Sequence, residues 1–374
     1  MDRTDHTHIT HSTDSTLSTQ PQTILVTGGA GFIGSWLVRG LLETLPDSRV
    51  INLDALTYAG NRANLADVEQ NPDLMEAGRY RFVHGDICDP ALVDALMAEA
   101  TMVVNVAAES HVDRSITGPM AFTRTNVLGT HVLLESARCH GITRFLQVST
   151  DEVYGSLALG EDTQFDETSA LAPNSPYSAT KAAGDMLCRS YFETFGLPVL
   201  VTRCGNNYGP YQFPEKLIPF FILRATNNEP LPVYGDGLNI RDWIHVKDHV
   251  SGLIAVLLQG TPGQVYNIGA NNQQSNMVVT LSILKALGKP DDLIEYVTDR
   301  PGHDRRYALD TQKIRHQLGW SHAIEFETGL CETIAWYQKH TAWLEGLKHR
   351  PEQHAATTGA GWLSDSMALT ATAD

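Results

Sequence analysis

Short apolar runs alternate with amphipathic segments along the first half of the chain. The runs predict six β-strands, at 23–27, 49–53, 80–84, 102–106, 144–149 and 199–203. Helical periodicity, with apolar residues three or four positions apart, is found at 31–44, 90–99, 120–140 and 177–195. Strands that alternate with helices are joined by right-handed crossovers, which make neighbouring strands parallel. The pattern therefore predicts an α/β fold built on a doubly wound parallel sheet.

The pattern changes after about residue 205, where Pro and Gly become frequent and the apolar runs become short and separated. Helical periodicity returns near 246–258, 276–287 and 326–345. We interpret 23–205 as one domain and 206–349 as a smaller mixed α/β domain, with some interleaving of the chain between them. The terminal segments, 1–22 and 350–374, are predicted to be disordered tails, because they hold too few apolar residues to offset the entropy of ordering.

Charge and hydropathy argue against several classes of protein. The 374 residues include 27 Lys+Arg and 43 Asp+Glu, which gives a formal net charge of −16. This balance argues against nucleic acid or an anionic membrane surface as a partner, since both attract basic faces. No apolar run reaches the roughly 18 residues of a membrane span, and the first 22 residues lack the apolar core of a signal peptide.

The cysteines indicate a redox compartment. Their number is odd, their spacings are wide, and the chain contains no CxxC pair. The pattern predicts free thiols in a reducing compartment, and hence a cytoplasmic protein without a structural zinc site. The five positions are Cys88, Cys139, Cys188, Cys204 and Cys331.

A glycine-rich turn links the first predicted strand to the first predicted helix. Gly28, Gly31 and Gly34 allow a tight turn and a close approach of the backbone, and the helix N-terminus that follows favours a phosphate group. Asp54 follows about 20 residues after Gly34, where a carboxylate binds ribose hydroxyls and repels a 2′-phosphate. Together these residues predict a Rossmann-type domain that binds NAD rather than NADP. Taken singly, such a turn also serves packing alone, and Asp54 also suits a helix cap.

A second group of chemically useful side chains follows the fifth predicted strand, at the sheet edge where doubly wound folds bind ligands. It consists of Thr150, Asp151 and Glu152. Tyr177 and Lys181 lie four residues apart on one helical face, where the cation is expected to lower the pKa of the phenol towards neutrality. Such a tyrosine can act as a base on a sugar hydroxyl, and two carboxyl groups with different pKa values can serve as acid and base. Asp151 and Glu152 suit a helix cap or a surface ion pair equally well.

The glycine turn, the strand-end hydroxyl and the Tyr-x-x-x-Lys pair together resemble the extended short-chain dehydrogenase/reductase superfamily. Over roughly 23–345 the chain also resembles the dTDP-glucose 4,6-dehydratase family. The stretches that carry this resemblance are TGGAGFIG (27–34), NLDALTYAGN (52–61), GDICD (85–89), AAESHVDRSI (107–116), STDEVYG (149–155), SPYSATKA (175–182), NNYGPYQFPEKLIP (206–219), PVYGDGLNIRDW (232–243), YNIG (266–269) and DRPGHDRRYALD (299–310). The resemblance implies NAD as the cofactor and a homodimer formed by the helices at about 120–140 and 176–196.

The same resemblance implies a role for each candidate catalytic residue. Tyr177 takes the proton of the carbon-4 hydroxyl while NAD accepts the hydride, Lys181 tunes the phenol and holds the nicotinamide ribose, and Thr150 hydrogen-bonds the same oxygen. Glu152 takes the carbon-5 proton, and Asp151 protonates the departing carbon-6 hydroxyl. The hydride then returns to carbon 6, which leaves a 4-keto-6-deoxy sugar nucleotide.

Contacts to both ligands are implied as well. The cofactor contacts are Gly28, Gly31, Phe32, Ile33, Gly34, Asp54, Thr57, Asp86, Ile87, Ala107, Ala108, Tyr177, Lys181 and Asn206. The substrate contacts are Thr150, Asn206, Lys216, Leu217, Pro232, Tyr234, Arg241, Asn276, Arg300, His303 and Tyr307. The cations among them suit a diphosphate, although solvated ion pairs are the alternative for both arginines.

Some of these positions leave other interpretations open. Tyr234 suits stacking on a pyrimidine or a place in the core, and His303 and Tyr307 suit structural roles. Two positions depart from the family pattern: Gly205 stands where a bulkier small residue is usual, and Ala270 where a second Gly is frequent. The smaller residue at 205 is expected to loosen the pocket next to the nicotinamide.

Three functions are consistent with this sequence. The first is a lyase, an NAD-dependent nucleotide-sugar 4,6-dehydratase with dTDP-glucose as the favoured substrate. The second is an NAD-dependent nucleotide-sugar 4-epimerase, which needs no elimination and hence has no task for Asp151 and Glu152. The third is a catalytically silent NAD-binding scaffold or redox sensor, which the complete catalytic set argues against. The sequence does not decide between thymidine and uridine nucleotides or between sugars.

Overall fold

The computed structural model describes residues 21–348, so the predicted disordered tails lie outside the described residues apart from Pro21 and Gln22. Within residues 21–348, no helix is long and apolar enough to cross a membrane, and no group of His, Cys, Asp or Glu is arranged to hold a metal ion. All five cysteines fall within this range and are free thiols.

Strands and helices alternate along most of the described chain. The strands are β1 (Thr23–Thr27), β2 (Arg49–Asp54), β3 (Tyr80–His84), β4 (Met102–Asn105), β5 (Arg144–Thr150), β6 (Val199–Cys204), β7 (Asn206–Tyr208), β8 (Leu231–Tyr234), β9 (Ile240–His245), β10 (Val265–Ile268), β11 (Gln273–Ser275) and β12 (Ile294–Val297). The α-helices are α1 (Phe32–Thr44), α2 (Ala66–Glu69), α3 (Pro72–Glu76), α4 (Pro90–Met97), α5 (Val112–Thr117), α6 (Pro119–Phe122), α7 (Thr130–Cys139), α8 (Pro176–Phe195), α9 (Leu217–Thr226), α10 (Val246–Gln259), α11 (Asn276–Leu287), α12 (Gln312–Leu318), α13 (Phe326–Lys339) and α14 (Thr341–Lys348). A π-helical stretch, Thr123–Gly129, joins α6 to α7, and 3₁₀ turns lie at Arg62–Leu65, Asp151–Tyr154 and Asp291–Leu293.

Seven of the described strands form one parallel sheet in the order β10-β6-β5-β4-β1-β2-β3. All six strands predicted from the apolar runs belong to this sheet, so the predicted fold class is confirmed. The seventh, β10, comes from beyond residue 205 and pairs with β6 along one edge. The strand order reverses between β1 and β4, and in doubly wound folds such a reversal opens a crevice at the carboxyl ends of the strands.

Helices cover both faces of the sheet because successive strand residues point to opposite sides. On β1, Ile24 and Val26 belong to a buried cluster with side chains of α1 and α10. Leu25, which lies between them, belongs to a second cluster with side chains of α4, α7 and α8. Helix α10 follows β9 in the chain and packs against α1, so the second half of the chain also completes one face of the sheet.

The second half of the chain has its own core. Strands β11, β9 and β7 form a small mixed sheet, in which β7 runs parallel and β11 antiparallel to β9, and β12 pairs with β8. Helices α9, α11 and α13 bury Ile222, Ile283 and Leu330 in a third cluster beside them. The predicted mixed α/β character of this region is confirmed.

Helix α8 begins in a capping box that fixes its first turn. Ser175 Oγ accepts a hydrogen bond from the Ser178 backbone N–H (3.0 Å), and Ser178 Oγ accepts one from the Ser175 N–H (3.1 Å). Tyr177, Lys181 and Asp185 follow at four-residue intervals, and all three are buried. Since α8 packs on β5 and β6, this polar face meets the carboxyl ends of both strands.

Candidate active site

A crevice of about 310 Å³ lies at the carboxyl ends of β1, β4, β5 and β6. It is lined by every predicted cofactor residue from Gly28 to Asn206, and by all five predicted catalytic residues. Of the predicted substrate contacts, Thr150, Asn206 and Lys216 lie in the same lining. Sequence motifs that are far apart in the chain are therefore gathered in one place.

The other predicted substrate residues come from the second half of the chain. Leu217 begins α9, Pro232 and Tyr234 lie on β8, Arg241 lies on β9, Asn276 begins α11, and Arg300, His303 and Tyr307 follow β12. The cationic members of this group approach the crevice: Arg300, Arg241 and Lys216 all favour the ionised form of Glu152. The region beyond β6 thus contributes positive charge to the catalytic end of the crevice.

The glycine-rich turn is built for close approach of the backbone. Gly28 has φ +68°, and a Cβ atom there would lie 2.7 Å from the backbone of Ala107. A Cβ at Gly34 would lie 2.1 Å from the Gly28 carbonyl oxygen. Helix α1 then begins after Gly31, and no described side chain caps its first turn. The turn therefore presents backbone N–H groups and the positive end of a helix dipole to the crevice, as a pyrophosphate requires.

Asp54 is held at the end of β2. Its Oδ2 accepts a hydrogen bond from the Ala30 N–H (2.9 Å), and its Oδ1 accepts one from the Leu56 N–H (2.7 Å). Leu56 has φ 50°, a left-handed conformation that is unusual for a leucine. The carboxylate therefore has a fixed position beside the glycine turn and in the crevice lining, where it suits the hydroxyls of a ribose.

The catalytic candidates meet where β5 ends and α8 begins. Thr150 Oγ accepts a hydrogen bond from the Glu152 N–H (3.3 Å) and donates one to Asp151 Oδ1 (3.3 Å). Its hydroxyl also bonds to the phenol of Tyr177. Lys181 Nζ donates to the Val148 carbonyl (2.7 Å), which fixes the ammonium beside the carboxyl end of β5. A hydroxyl, a phenol, two carboxyl groups and an ammonium thus lie together in the lining of one crevice.

The predicted lowering of the Tyr177 pKa is wrong for the groups of the chain itself. Burial raises the pKa of the phenol well above its ordinary value, and Glu152 and Cys204 raise it further, while the Thr150 hydrogen bond acts in the opposite direction. Burial also lowers the pKa of Lys181. Because the ammonium donates to a backbone carbonyl, its position on the same helical face does not by itself make the phenol acidic.

The two carboxyl groups differ in their surroundings. Burial raises the pKa of Asp151 well above its ordinary value, and Glu152 raises it further. Its Oδ2 atom is buried and bonds to no described group, as a protonated carboxyl can tolerate. Burial also raises the pKa of Glu152, but Arg300, Arg241 and Lys216 counteract this and favour the carboxylate. Of this neighbouring pair, Asp151 is therefore the better suited to hold a proton and Glu152 to accept one.

Arg241 is not a solvated ion pair. Its side chain is buried, and its guanidinium donates to the carbonyls of Ile240 (2.8 Å) and Asp304 (2.9 Å) and lies over the Tyr307 ring at 4.2 Å. Carbonyl oxygens orient the guanidinium without neutralising its charge, so the cation stays available to an anionic ligand. Tyr307, in turn, is fixed by a hydrogen bond from its hydroxyl to Asp304 (2.5 Å).

Arg300 and His303 both have carboxylate partners. Arg300 Nη1 lies 3.1 Å from Asp113 Oδ1, and His303 Nδ1 lies 2.6 Å from Asp299 Oδ1. Burial lowers the pKa of His303 to about 4, so its ring is neutral near pH 7. Tyr234 lies edge-on to this ring, with centroids 6.1 Å apart.

The two departures from the family pattern surround one buried carboxyl group, Asp242. A Cβ at Gly205 would lie 2.6 Å from the Asp242 carbonyl oxygen, so close packing accounts for the glycine, and the expected loosening of the pocket is wrong. The N–H of Ala270 hydrogen-bonds to the Asp242 side chain, as do those of Asn271 and Asn272. Both positions therefore support the β9 strand beside the catalytic carboxyls.

Sequence reasoning missed Asn126. This residue lies in the π-helical stretch and is buried; its Oδ1 accepts a hydrogen bond from the Glu109 N–H (2.9 Å), and its Nδ2 donates to the Glu109 carbonyl (3.0 Å) and to Thr180 Oγ (3.0 Å). It joins the end of β4 to the helix of Tyr177. The available signal was an Asn within an otherwise amphipathic helical pattern; π-turns are frequent at functional sites.

Comparison with known proteins identifies the family. The family model described as GDP-mannose 4,6 dehydratase matches residues 25–333. The dTDP-glucose 4,6-dehydratase of Streptomyces niveus is 51% identical over 342 residues, covering 90% of this chain and 99% of that protein. The chain belongs to the dTDP-glucose 4,6-dehydratase family. The crystal structure of the family member DesIV from Streptomyces venezuelae, with NAD and TYD bound, is 48% identical, with a TM-score of 0.83 over 87% of this chain and 99% of that one.

A 4-epimerase of the same fold is a more distant neighbour of the family. The structure of Thermus thermophilus UDP-glucose 4-epimerase in complex with NAD is 29% identical to this chain. Its TM-score is 0.77, and the match covers 85% of this chain and 99% of that one. The lower identity over a similar coverage favours the dehydratase family over the epimerases.

Proposed function

We propose that this protein catalyses the NAD-dependent dehydration of dTDP-glucose to dTDP-4-keto-6-deoxyglucose and water. The observation that carries the proposal is the pair Asp151 and Glu152 next to Tyr177: burial raises the pKa of Asp151 well above its ordinary value, whereas three cations oppose the rise at Glu152. An elimination needs such a pair, since carbon 5 must lose a proton while the carbon-6 hydroxyl gains one.

NAD supplies the redox chemistry when bound, because it accepts a hydride from carbon 4 and returns one to carbon 6. The glycine turn fits its pyrophosphate, since side chains at Gly28 or Gly34 would collide with the backbone of Ala107 or Gly28 and the tight turn could not form. Asp54 fits the adenosine ribose and disfavours the 2′-phosphate of NADP. We assign 23–205 mainly to the cofactor and 206–349 mainly to the sugar nucleotide.

Tyr177 takes the proton from the carbon-4 hydroxyl. Thr150 hydrogen-bonds the same substrate oxygen through the hydroxyl that contacts the phenol. Lys181, whose ammonium donates to the Val148 carbonyl, holds the nicotinamide ribose and tunes the phenol in the complex with NAD. Burial makes deprotonation of the phenol costly, so proton transfer is favoured only when these cationic and hydrogen-bonding groups act together.

The carboxyl pair then performs the elimination. The new carbon-4 ketone acidifies carbon 5, and Glu152 removes that proton. Asp151 gives its proton to the carbon-6 hydroxyl, which leaves as water. Arg300, Arg241 and Lys216 keep Glu152 ionised before this step and attract the diphosphate of the substrate.

The remaining contacts position the nucleotide. Tyr234 and His303 form one aromatic pair, and Tyr307 lies beneath Arg241. We assign them, with Leu217, Pro232, Asn206 and Asn276, to the base, ribose and diphosphate of the substrate. The carbonyl-bound state of Arg241 supports a diphosphate contact, since its charge faces no described carboxylate within hydrogen-bond distance.

A substrate panel tests the proposal. We expect dTDP-glucose, and none of UDP-glucose, UDP-N-acetylglucosamine and GDP-mannose, to yield a product lighter by one water with alkali-sensitive 4-keto absorbance. The variant Tyr177→Phe should lose about 10²–10⁴-fold in kcat, since it removes a positioned base. The control Tyr191→Phe changes another tyrosine of α8, whose hydroxyl bonds Glu135 instead, and should keep full activity. A galactose epimer without the 4-keto product would establish the epimerase in its place.

We also infer a cytoplasmic homodimer. The helical run from α6 through α7 packs against α8, and exposed apolar side chains lie on both: Met120 and Leu128 on the first, Met186 on the second. Apolar side chains in such a pair of helices favour burial against a second copy. The free state of all five cysteines supports a reducing compartment.

A further inference from the structure

Asp113 contacts two of the substrate residues at once. Its Oδ1 lies 3.1 Å from Arg300 Nη1, and its Oδ2 accepts a hydrogen bond from the Tyr234 hydroxyl (3.3 Å). Asp113 lies on α5, which belongs to the first half of the chain, whereas Tyr234 and Arg300 belong to the second half. A single carboxylate therefore spans the cleft between the two halves.

The ion pair is partly shielded from water. The side chain of Arg300 is 22% exposed and that of Asp113 is 36% exposed. Arg300 Nε is buried and bonds to no described group, so the Asp113 carboxylate is the main anchor that the described residues give this guanidinium. Its interaction with Arg300 and its hydrogen bond from Tyr234 lower the pKa of Asp113 despite burial, which keeps it a carboxylate near pH 7.

We propose that Asp113 is a positioning residue for the nucleoside diphosphate, because it sets the orientation of Arg300 and Tyr234 before the substrate binds. This proposal rests on the proposed function, in which both residues contact the nucleotide. A side chain that is already ordered loses less entropy on binding than a mobile one. The long arginine side chain gains most, since the fork of its guanidinium must match a phosphate in direction as well as distance.

Other charged groups around Asp113 fit this role. His111 and Arg114 lie on the same segment, and Lys216 and Glu152 act on Arg300 or on Asp113 from the crevice side. Glu152 also acts on Arg300 through its charge, but the ion pair and hydrogen bond of the guanidinium are with Asp113.

The variant Asp113→Asn tests the proposal, since it removes the charge and keeps the shape. We expect the KM for dTDP-glucose and the dissociation constant of dTDP to rise about tenfold, as when one or two long side chains lose their order. The kcat, the NAD content and the melting temperature should change little. Tyr234→Phe removes the hydroxyl that bonds to Asp113 Oδ2 and should raise KM by about threefold.

Two comparisons separate positioning from a structural role. In an Arg300→Gln background, Asp113→Asn should alter KM by no more than about threefold, because only its contact with Tyr234 remains. The control Asp94→Asn breaks an ion pair with His140 between α4 and α7, away from the crevice, and should leave KM unchanged. An unchanged or lowered KM in Asp113→Asn, or equal effects in both backgrounds, would overturn the proposal.

Binding of dTDP keeps this test independent of the proposed reaction. If the protein binds dTDP but does not dehydrate dTDP-glucose, weaker dTDP binding by Asp113→Asn still supports the positioning role while the proposed function fails. If the wild type does dehydrate dTDP-glucose and the variant binds dTDP as tightly as the wild type, the positioning role fails while the function stands.

Discussion

Asp151 and Glu152 are adjacent in sequence, but their surroundings differ, and we propose different roles for them. Asp151 lies in the interior with one oxygen unpartnered among the described groups and is influenced by Arg241, whereas Arg300, Arg241 and Lys216 all act on Glu152. Sequence spacing identified both carboxyls as candidates, but it did not contain the cations that distinguish them. Their separation requires the tertiary structure.

The two roles can be separated by isotope exchange in deuterated water. Asp151→Asn should lower product formation by about 10²–10⁴-fold, because the leaving hydroxyl loses its acid, while recovered dTDP-glucose still acquires deuterium at carbon 5. Glu152→Gln should stop both product formation and exchange, because it removes the base. Mass spectrometry of the recovered substrate measures the deuterium. Exchange that persists in Glu152→Gln and stops in Asp151→Asn would reverse the two assignments.

The pKa of Tyr177 shows the limit of spacing arguments at this scale. A four-residue interval correctly places Tyr177 and Lys181 on one buried face of α8. It does not say where the ammonium points, and the structure directs it to the Val148 carbonyl. The electrostatic effect of a flexible side chain depends on atoms beyond its own helix. The direction of the Tyr177 pKa shift could therefore not be predicted from the sequence.

At the scale of elements, apolar runs predicted six of the seven strands of the parallel sheet. They did so because the sheet is covered on both faces and its strands are continuously apolar. The edge strand β10 was not predicted: it is four residues long and follows a Pro- and Gly-rich region. The π-helical stretch also escaped prediction, because it lies inside a longer helical run whose periodicity predicts a helix but not its hydrogen-bond spacing. Strand β10 depends on pairing with β6, and the π-helical stretch packs against α8.

Hydrogen bonds connect the glycine turn to α14, which is distant in sequence. Trp343 on α14 donates its indole N–H to Asn64 Oδ1 (2.8 Å), and Asn64 Nδ2 donates to the Ala30 carbonyl (3.0 Å) inside the turn. Ala30 N–H in turn bonds to Asp54. The last described helix is thus linked through one buried asparagine to the residues proposed to hold NAD.

Trp343→Phe should therefore weaken NAD binding. A phenyl ring keeps part of the packing, but Asn64 Oδ1 loses its donor, and an unsatisfied buried acceptor costs about 1–3 kcal/mol. We expect about a tenfold rise in the dissociation constant of NAD, measured by titration of cofactor-stripped protein. Trp320→Phe is the matched control, since it removes an indole N–H that donates to Ser251 Oγ (2.8 Å), and neither residue lines the crevice. Equal NAD affinities in the two variants would contradict this link.

At the scale of the whole molecule, a chain of net charge −16 must bind two anionic ligands. The background field opposes both, so binding depends on local positive groups: the N-terminus of α1 for the cofactor, and Lys216, Arg241 and Arg300 for the substrate. The N-terminus of α1 and Lys216 line one crevice, whose walls come from both halves of the chain, and Arg241 and Arg300 act on Glu152 in the same lining. Strand β10 and helix α10 lie beyond the division predicted near residue 205, but β10 pairs with β6 and α10 packs against α1. The predicted division therefore does not coincide with the edge of the parallel sheet.

The proposed homodimer is the property of the whole molecule that is most directly testable. Met120 is 75% exposed and Leu128 is 46% exposed on the helical run that packs against α8, and a second copy would cover them. Leu128→Glu should convert the dimer to a monomer at micromolar concentration, because burying an unpaired carboxylate is costly. Light scattering after gel filtration measures the mass. The control Leu281→Glu alters a 38% exposed leucine on α11 and should leave a dimer. A wild-type protein of monomeric mass, or a Leu128→Glu variant that stays dimeric, would exclude this surface as the interface.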